Sequence, residues 1–393
     1  MTDKKWLLPN AVDEILPPQA WQLEQKRRLI LDYMVACGYD LITPSLFEFL
    51  DSLLTGAGKD LDRHTFKVTD QSSGRTLGFR ADMTTQAARI DAHLLSTSKV
   101  TRLCYVGEVV HTRTDELAGS RNPIQIGAEC YGHQGICADA EIISLMIETL
   151  KIMGLKQISL DLGHVGIFRE LAKQAALTPE QEKQIFNALQ RKAIPEIEQM
   201  LATFDLNQQQ AEMLLALAEL NGNDILALAQ QKLAKAGQKV ADALAEIAEI
   251  IDFMKAQMPE IQLHIDLAEL RGYHFHTGVV FAAFVPKLGR EIARGGRYNG
   301  VGKSFGSARF ATGFSANLKQ LFRLSQEKES ETDKRVLAPA KLDTVLMNKI
   351  NELRHAGYRV IRALGTETAS DLKCQQELVL KGNDWVLQKI QII

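Results

Sequence analysis

Apolar positions recur with a helical period after Pro17-Pro18, through Trp21, Leu29, Ile30, Met34 and Val35, and the pattern stops at Gly38. An extended segment, Tyr39 to Thr43, follows and is closed by Pro44. From Thr65 to Arg80 the apolar residues alternate about Ser72-Ser73-Gly74, which predicts a hairpin. Next come a short helix over Thr84 to Leu95, strands over Arg102 to His111 and Ile124 to Tyr131 joined by a polar loop, a helix over Ala140 to Met153, and a strand over Ile158 to Leu162. The texture then changes. From Phe168 to Met258 the chain is rich in Ala, Leu, Gln and Glu at 3.6-residue spacing, which predicts a helical insertion built on packing. Strand patterns return at Ile261 to Leu267, Val279 to Phe284 and Glu291 to Ala293. After a polar linker, Gln326 to Lys334, the tail reads helix (Leu342 to His355), strand (Tyr358 to Ala363), helix (Ser370 to Leu380) and strand (Trp385 to Lys389).

This order predicts an α+β fold: a largely antiparallel sheet, an inserted helical bundle and a small C-terminal α/β domain. The expected boundaries are 1–163 and 259–325 for the two parts of the core, 164–258 for the insertion and 335–393 for the terminal domain. A chain of 393 residues exceeds one compact core, which agrees with several units. Composition narrows the partners. The net charge is -2 and no Lys/Arg run is present, which speaks against gripping a phosphate backbone and so against tRNA or DNA as the main partner. The five cysteines, Cys37, Cys104, Cys130, Cys137 and Cys374, form no CxxC pair and have no histidine at zinc spacing, so free thiols in a reducing cytoplasm are expected. No apolar stretch is long enough to span a bilayer, and the N-terminus lacks the apolar core of a secretion signal. A cytoplasmic protein without membrane contact is the expectation.

Five segments carry a resemblance. Gly38-Tyr39-Asp40-Leu41-Ile42-Thr43-Pro44, Arg80-Ala81-Asp82-Met83-Thr84, the stretch from Tyr105 to Tyr131, Arg271-Gly272-Tyr273-His274-Phe275-His276-Thr277-Gly278, and Ala293 to Tyr298 occur in the order seen in class II aminoacyl-tRNA synthetases. Over roughly Pro9 to Leu321 the chain resembles histidyl-tRNA synthetase. The resemblance implies a class II synthetase-like core with a dimer interface at Gly38 to Pro44. It also implies two histidine-specific signatures, at Arg271 to Gly278 and at Ala293 to Tyr298.

A free amino acid presents an ammonium, a carboxylate and a side chain, and each needs a partner once desolvated. Asp82, Thr84 and Gln125 have the acceptors an ammonium wants. Arg271 can pair with a carboxylate. By analogy with the family, Glu129, His276 and Tyr298 would meet an imidazole. Other readings stand beside these: Asp82 as a helix N-cap, Gln125 and Glu129 as a solvated strand face, Tyr298 as core, and Gly295-Gly296 as a turn or bulge. His274 and His276 have same-face strand spacing, but no third metal ligand accompanies them, and no metal or cofactor is expected.

The departures from the synthetase pattern bear on function. Where the family places an α-phosphate arginine and, two residues on, a glutamate, this chain has His111 and Arg113. Where it places a glutamate-arginine pair near the end, this chain reads Gly313-Phe314-Ser315-Ala316. Each lost charge-assisted bond is worth about 1.5–3 kcal/mol, so losing two weakens ATP binding on the order of 10²- to 10⁴-fold. The aspartate-tyrosine-tyrosine run of the family is replaced by His274-Phe275-His276, and the tail is short for an anticodon-binding domain. The site thus retains its amino-acid half and loses its phosphate half. This combination resembles the regulatory subunits of ATP phosphoribosyltransferase, non-catalytic relatives of histidyl-tRNA synthetase. What the resemblance implies is a partnership with a short-form catalytic subunit at the first step of histidine biosynthesis, self-association as a dimer within a hetero-oligomer, and histidine as an allosteric ligand. The alternatives are a histidyl-tRNA synthetase with an atypical ATP site and a synthetase-like enzyme turned to another adenylation or amide-forming reaction.

Overall fold

The computed structural model describes residues 6–56, 59–114, 119–270, 272–273, 275–286, 288–300, 305–306, 308–325 and 334–390. The chain forms two compact units that divide after position 326. The first opens with helix α1 (Gln19–Ala36), whose Leu23, Ile30 and Met34 are buried while Trp21, Leu29 and Val35 face outward. Strand β1 (Asp40–Leu41) follows. A small sheet pairs β2 (Phe47–Phe49), β3 (Lys67–Thr69) and β4 (Thr76–Phe79), with α2 (Leu50–Leu54) and α3 (Lys59–His64) between its strands. Helix α4 (Thr84–Arg89) continues into a wider π turn over Ile90–Leu95.

The large sheet is completed by β5 (Thr101–Glu108), β6 (Ile124–Tyr131), β7 (Ser159–His164), β8 (Asn221–Gly222), β9 (Gln262–Asp266), β10 (Val279–Phe284), β11 (Ala293–Arg297) and β12 (Ala311–Asn317). Its order is β1-β5-β6-β12-β11-β10-β7-β9-β8, antiparallel except where β1 meets β5 and β7 meets β9. Helix α5 (Cys137–Ile152) packs on β6, β10, β11 and β12 and buries Ile142, Ile143, Met146, Ile147 and Leu150.

Between β7 and β9 lie α6 (Val165–Gln174), α7 (Pro179–Gln190), α8 (Ile194–Thr203), α9 (Gln208–Glu219), α10 (Leu226–Lys232) and α11 (Gln238–Gln257). Their starts are locally encoded: Thr178 with Gln181, and Asn207 with Gln210, form capping boxes. Helix α12 (Leu318–Leu324) is capped by Asn317 and closes the unit. The insertion is not wholly helical, since β8 leaves it to pair with β9.

The second unit contains β13 (Arg335–Pro339), α13 (Thr344–His355), β14 (Arg359–Ala363), β15 (Gln376–Lys381) and β16 (Asp384–Lys389), with strand order β14-β13-β15-β16 around Val336, Ala338, Leu346, Ile350 and Trp385. The helix expected over Ser370 to Leu380 is absent. Asp371 accepts from the Thr368 backbone and hydroxyl, which fixes a turn, and Gln376–Lys381 then pairs with β16 through a hairpin at Gly382, whose φ is +62°. No helix among the described residues is long and apolar enough to cross a membrane.

One ion pair fixes the sheet to its helical layer. Arg297, at the end of β11, donates to Asp139 in the first turn of α5 through Nε and Nη2, and to the carbonyls of His133 and Gly135 at 3.1 and 2.9 Å. Both side chains are buried. Replacing Asp139 by Ala strands the guanidinium and is expected to lower the unfolding free energy by about 3–5 kcal/mol in urea melts. A loss below about 1 kcal/mol would mean that water reaches Arg297.

Candidate functional site

The face of the sheet opposite α5 carries the site. Residues paired directly across antiparallel strands share a face, so the register places Tyr105, Gln125, Gly127, Glu129, Tyr131, Gly313, Ser315, Gly296 and Tyr298 together. Two close approaches explain glycines there. A Cβ at Gly127 would sit 2.7 Å from the Tyr105 hydroxyl, and one at Gly313 would sit 2.5 Å from Glu129 Cδ. The Glu129 side chain therefore lies flat across β12, over a backbone with no side chain beneath it.

Glu129 is almost completely buried. Its Oε1 accepts from the Tyr105 hydroxyl at 2.9 Å and its Oε2 from the Tyr298 hydroxyl at 2.5 Å; the Tyr131 hydroxyl lies 3.2 Å from that of Tyr298. Burial pushes the Glu129 carboxyl up to about 8, against the lowering effect of the two tyrosine bonds, and the nearby charge of Asp82 adds to the rise. Burial likewise raises all three tyrosines well above their usual range.

At the neighbouring edge, Asp82 Oδ1 accepts from the Thr84 backbone at 2.6 Å, and its Oδ2 accepts from Gln125 Nε2 at 2.8 Å. Gln125 Oε1 accepts from the Met83 backbone at 2.9 Å, and the Thr84 hydroxyl lies 3.3 Å from that of Tyr105. Asp82, Thr84, Gln125, Glu129 and Tyr298 thus form one continuous network through Tyr105. The N-cap reading of Asp82 is corrected: Met83 is the N-cap of α4 and the helix has no side-chain cap, while Asp82, one residue earlier, accepts from the Thr84 backbone in a local turn. Gln125 and Glu129 are buried, so the solvated-face reading is corrected. Gly295-Gly296 is neither turn nor bulge: β11 runs through both in regular register with β10 and β12, so the strand expected over Glu291 to Ala293 lies instead at Ala293–Arg297.

His276 lies beside this network. A Cβ on Gly296 would come 2.9 Å from its Nδ1, and Phe275 stacks on Tyr298 with centroids 4.8 Å apart. Nδ1 is buried and has no hydrogen-bond partner among the described residues. Burial, reinforced by the positive charge of Arg294, lowers the imidazole to about 4. Arg271 and His274 lie outside the described residues.

The positions expected to mark a degraded phosphate site separate. His111 Nε2 is 2.9 Å from the Ala81 carbonyl, which can only accept, so this nitrogen carries the proton and is engaged by the protein. Arg113 is exposed on the loop after β5. Ala316 is corrected outright: it alternates with Ser315 on β12, pairs with Ile126 and Ala293, and is buried in the α5-side core. The residue that faces the site at that end of the strand is Ser315. Tyr105 and Tyr131 are site residues that motif order alone did not supply; their signal is i, i+2 alternation and pairing opposite Gly127 and Ala311.

A class II aminoacyl-tRNA synthetase-like core with a buried, tyrosine-bonded carboxyl at the centre of its sheet is the class this geometry defines. Residues 11–321 match the family model described as histidyl-tRNA synthetase, and residues 333–388 match that of the ATP phosphoribosyltransferase subunit HisZ C-terminal domain. The ATP phosphoribosyltransferase regulatory subunit of Thioalkalivibrio sulfidiphilus is 51% identical over 96% of this chain and 97% of its own length. That of Methylococcus capsulatus is 53% identical over 92% and 90%. Among solved structures, an ATP phosphoribosyltransferase regulatory subunit/histidyl-tRNA synthetase from Bacillus halodurans superposes with a TM-score of 0.83 at 23% identity over 95% of this chain and 97% of that one. Histidyl-tRNA synthetase from Nostoc superposes with 0.79 at 17%, over 98% and 95%. The chain belongs to the family of ATP phosphoribosyltransferase regulatory subunits, which has no catalytic activity of its own.

The two shifted groups act on stability in opposite directions. Between pH 4.5 and 8 the folded chain holds the Glu129 proton that the unfolded chain has lost, so this contribution falls as pH rises. Between pH 4 and 6.5 the unfolded chain holds a His276 proton that the folded chain lacks, so that contribution rises with pH. From pH 6.5 to 8 only the first remains. Relative to Glu129→Gln, the wild-type chain is expected to lose on the order of 1 kcal/mol of unfolding free energy per pH unit across that window. Parallel pH profiles in urea titrations of the two proteins would refute it.

Proposed function

We propose that this chain joins a short-form ATP phosphoribosyltransferase catalytic subunit in the cytoplasm, activates it for the condensation of ATP with phosphoribosyl pyrophosphate, and conveys feedback inhibition by histidine bound at the Glu129 network. The observation that carries this reading is the network itself. A buried carboxyl bonded to two tyrosines stands next to a carboxylate, a hydroxyl and an amide, which is a set of partners for an imidazole and an ammonium.

In this reading the ligand's ammonium exchanges into the bonds now made among Asp82, Thr84 and Gln125, and its imidazole meets Glu129 and Tyr298. Arg271 takes the carboxylate, and His276 flanks the side chain. Exchange of internal bonds for ligand bonds gains only a modest net amount each, so affinity rests on satisfying all of them together. Feedback then follows from linkage: histidine shifts the complex by the difference in its affinity for the two states and no more.

Calorimetry is expected to show histidine binding to the chain or its complex. Glu129→Gln removes the charge-assisted partner and weakens that binding roughly 10- to 100-fold, with a matching rise in the histidine concentration that half-inhibits the complex. Inhibition unchanged by Glu129→Gln would place histidine elsewhere. Histidine-dependent exchange of pyrophosphate into ATP is expected to be absent, and exchange at ordinary enzymatic rates would restore the synthetase reading.

A further inference from the structure

Arg294 belongs to the segment Ala293 to Tyr298 and has no part in the network around Glu129. On β11 it pairs with Ser315 of β12 and with Ala282 of β10. Cross-strand partners share a face, so Arg294 stands on the surface that carries Glu129, in the row Tyr105, Gly127, Ser315, Arg294, Ala282. Gln125 and Glu129 flank this row on β6, two residues to either side of Gly127. Among the described strand residues on this face of the large sheet, Arg294 is the one Lys or Arg.

The groups nearer the centre are acidic or neutral. Asp82 and Glu129 bond only to hydroxyls, an amide and backbone N–H among the described residues. A carboxylate brought in beside them needs a cation of its own. Arg294 offers a charged fork of N–H donors that matches a carboxylate. Its existing bond is slight: Nη1 lies 3.3 Å from Oε1 of Glu291, three residues earlier, with the arginine side chain 66% exposed. Exposed pairs of this kind contribute little, so the guanidinium is available for exchange. Its charge already acts on His276, where it adds to the effect of burial. Strand spacing puts Gly127 roughly 10 Å from Arg294, with Ser315 midway. Both intervening residues are small, and the Ser315 hydroxyl has no hydrogen-bond partner among the described residues.

We propose that Arg294, with the Ser315 hydroxyl, binds the carboxylate of the amino-acid ligand and thereby selects a free amino acid over derivatives whose carboxylate is esterified, amidated or reduced. The proposal rests on the histidine reading above and deepens it, giving the carboxylate a second cation, from β11, in addition to Arg271. The placement follows from the two ends of the ligand. Its ammonium meets Asp82, Thr84 and Gln125 on one side of Gly127, and its imidazole meets Glu129 on the other. A carboxylate branching from the carbon between them lies over Gly127 and Ser315, on the side toward Arg294. There it also offsets the repulsion that Asp82 exerts on a second negative charge.

The test is calorimetric titration with histidine and with histidinol, in which a hydroxymethyl group replaces the carboxylate. It uses the full-length chain, or its complex with the catalytic subunit where the chain alone does not bind histidine. The wild type is expected to bind histidine at least tenfold more tightly than histidinol. Arg294→Gln is expected to weaken histidine about tenfold and to leave histidinol within about twofold, while Arg294→Lys recovers part of the loss. Position 294 is exposed, and urea melts of the variants check that the fold is intact. Histidine affinity unchanged in Arg294→Gln overturns the proposal and leaves the histidine reading standing. Equal losses for histidine and histidinol show that Arg294 supports the shape of the site without meeting the carboxylate, which also overturns it. Absence of histidine binding to the wild type in both forms overturns the histidine reading, and this proposal with it.

Discussion

The pairing of Arg297 with Asp139 is the constraint on which the rest of this core depends. Consecutive residues of an extended strand point to opposite faces of a sheet. Arg297 is therefore fixed to α5 on one side, while Tyr298, the next residue, reaches Glu129 on the other. The backbone between them cannot move toward the helix without drawing the tyrosine from the carboxyl. Arg102 and Tyr105 repeat this arrangement on β5, through Glu141 on one face and Glu129 on the other. The sheet acts as a thin plate whose two surfaces are registered by side-chain bonds on both, buried at Arg297 and half-buried at Arg102.

Glu129 shows what such registration permits. A lone carboxyl in an apolar interior is costly when ionised, and the cost is relieved by retaining the proton. Two tyrosine hydroxyls fixed by the sheet hold this acid in place, with no cation bonded to it among the described residues, and burial favours its protonated form. On the proposed reading, a ligand that brings a positive or strongly donating imidazole reverses that preference. On that reading burial strengthens the bonds to the ligand, since attraction between charges grows as water leaves.

Spacing in the sequence carried the elements of this site well and their faces poorly. Gln125 and Glu129 lie on one face of β6 because they are four apart in a strand, and that was legible. Gly295-Gly296 was open to a turn reading because glycine pairs usually break strands; here Gly296 gives His276 room against the sheet, a tertiary demand invisible in one strand. Position 316 was reached by counting along a motif, which gives an order but not a side, and the register turns Ala316 into the core. In the second unit, the run from Ser370 to Leu380 had helical composition, yet the turn at Thr368 to Asp371 and the partner strand β16 outweighed local propensity. The tyrosines that complete the network are likewise determined by pairing across strands.

This chain shares its fold with solved structures that superpose with TM-scores of 0.83 and 0.79 at 23% and 17% identity, and a shared fold leaves the task to the side chains of the site. A synthetase must hold developing charge on a phosphate, which demands cations aimed at fixed points in space. Here the imidazole of His111 is engaged by the Ala81 carbonyl, and Arg113 is exposed. On the proposed regulatory reading no transition state has to be matched, and the site need only bind one state of an assembly better than another. Such a site can work by mechanical connection in place of aimed charge, and Arg297, Arg102 and His164 each connect a strand of the sheet to a helix on its outer side.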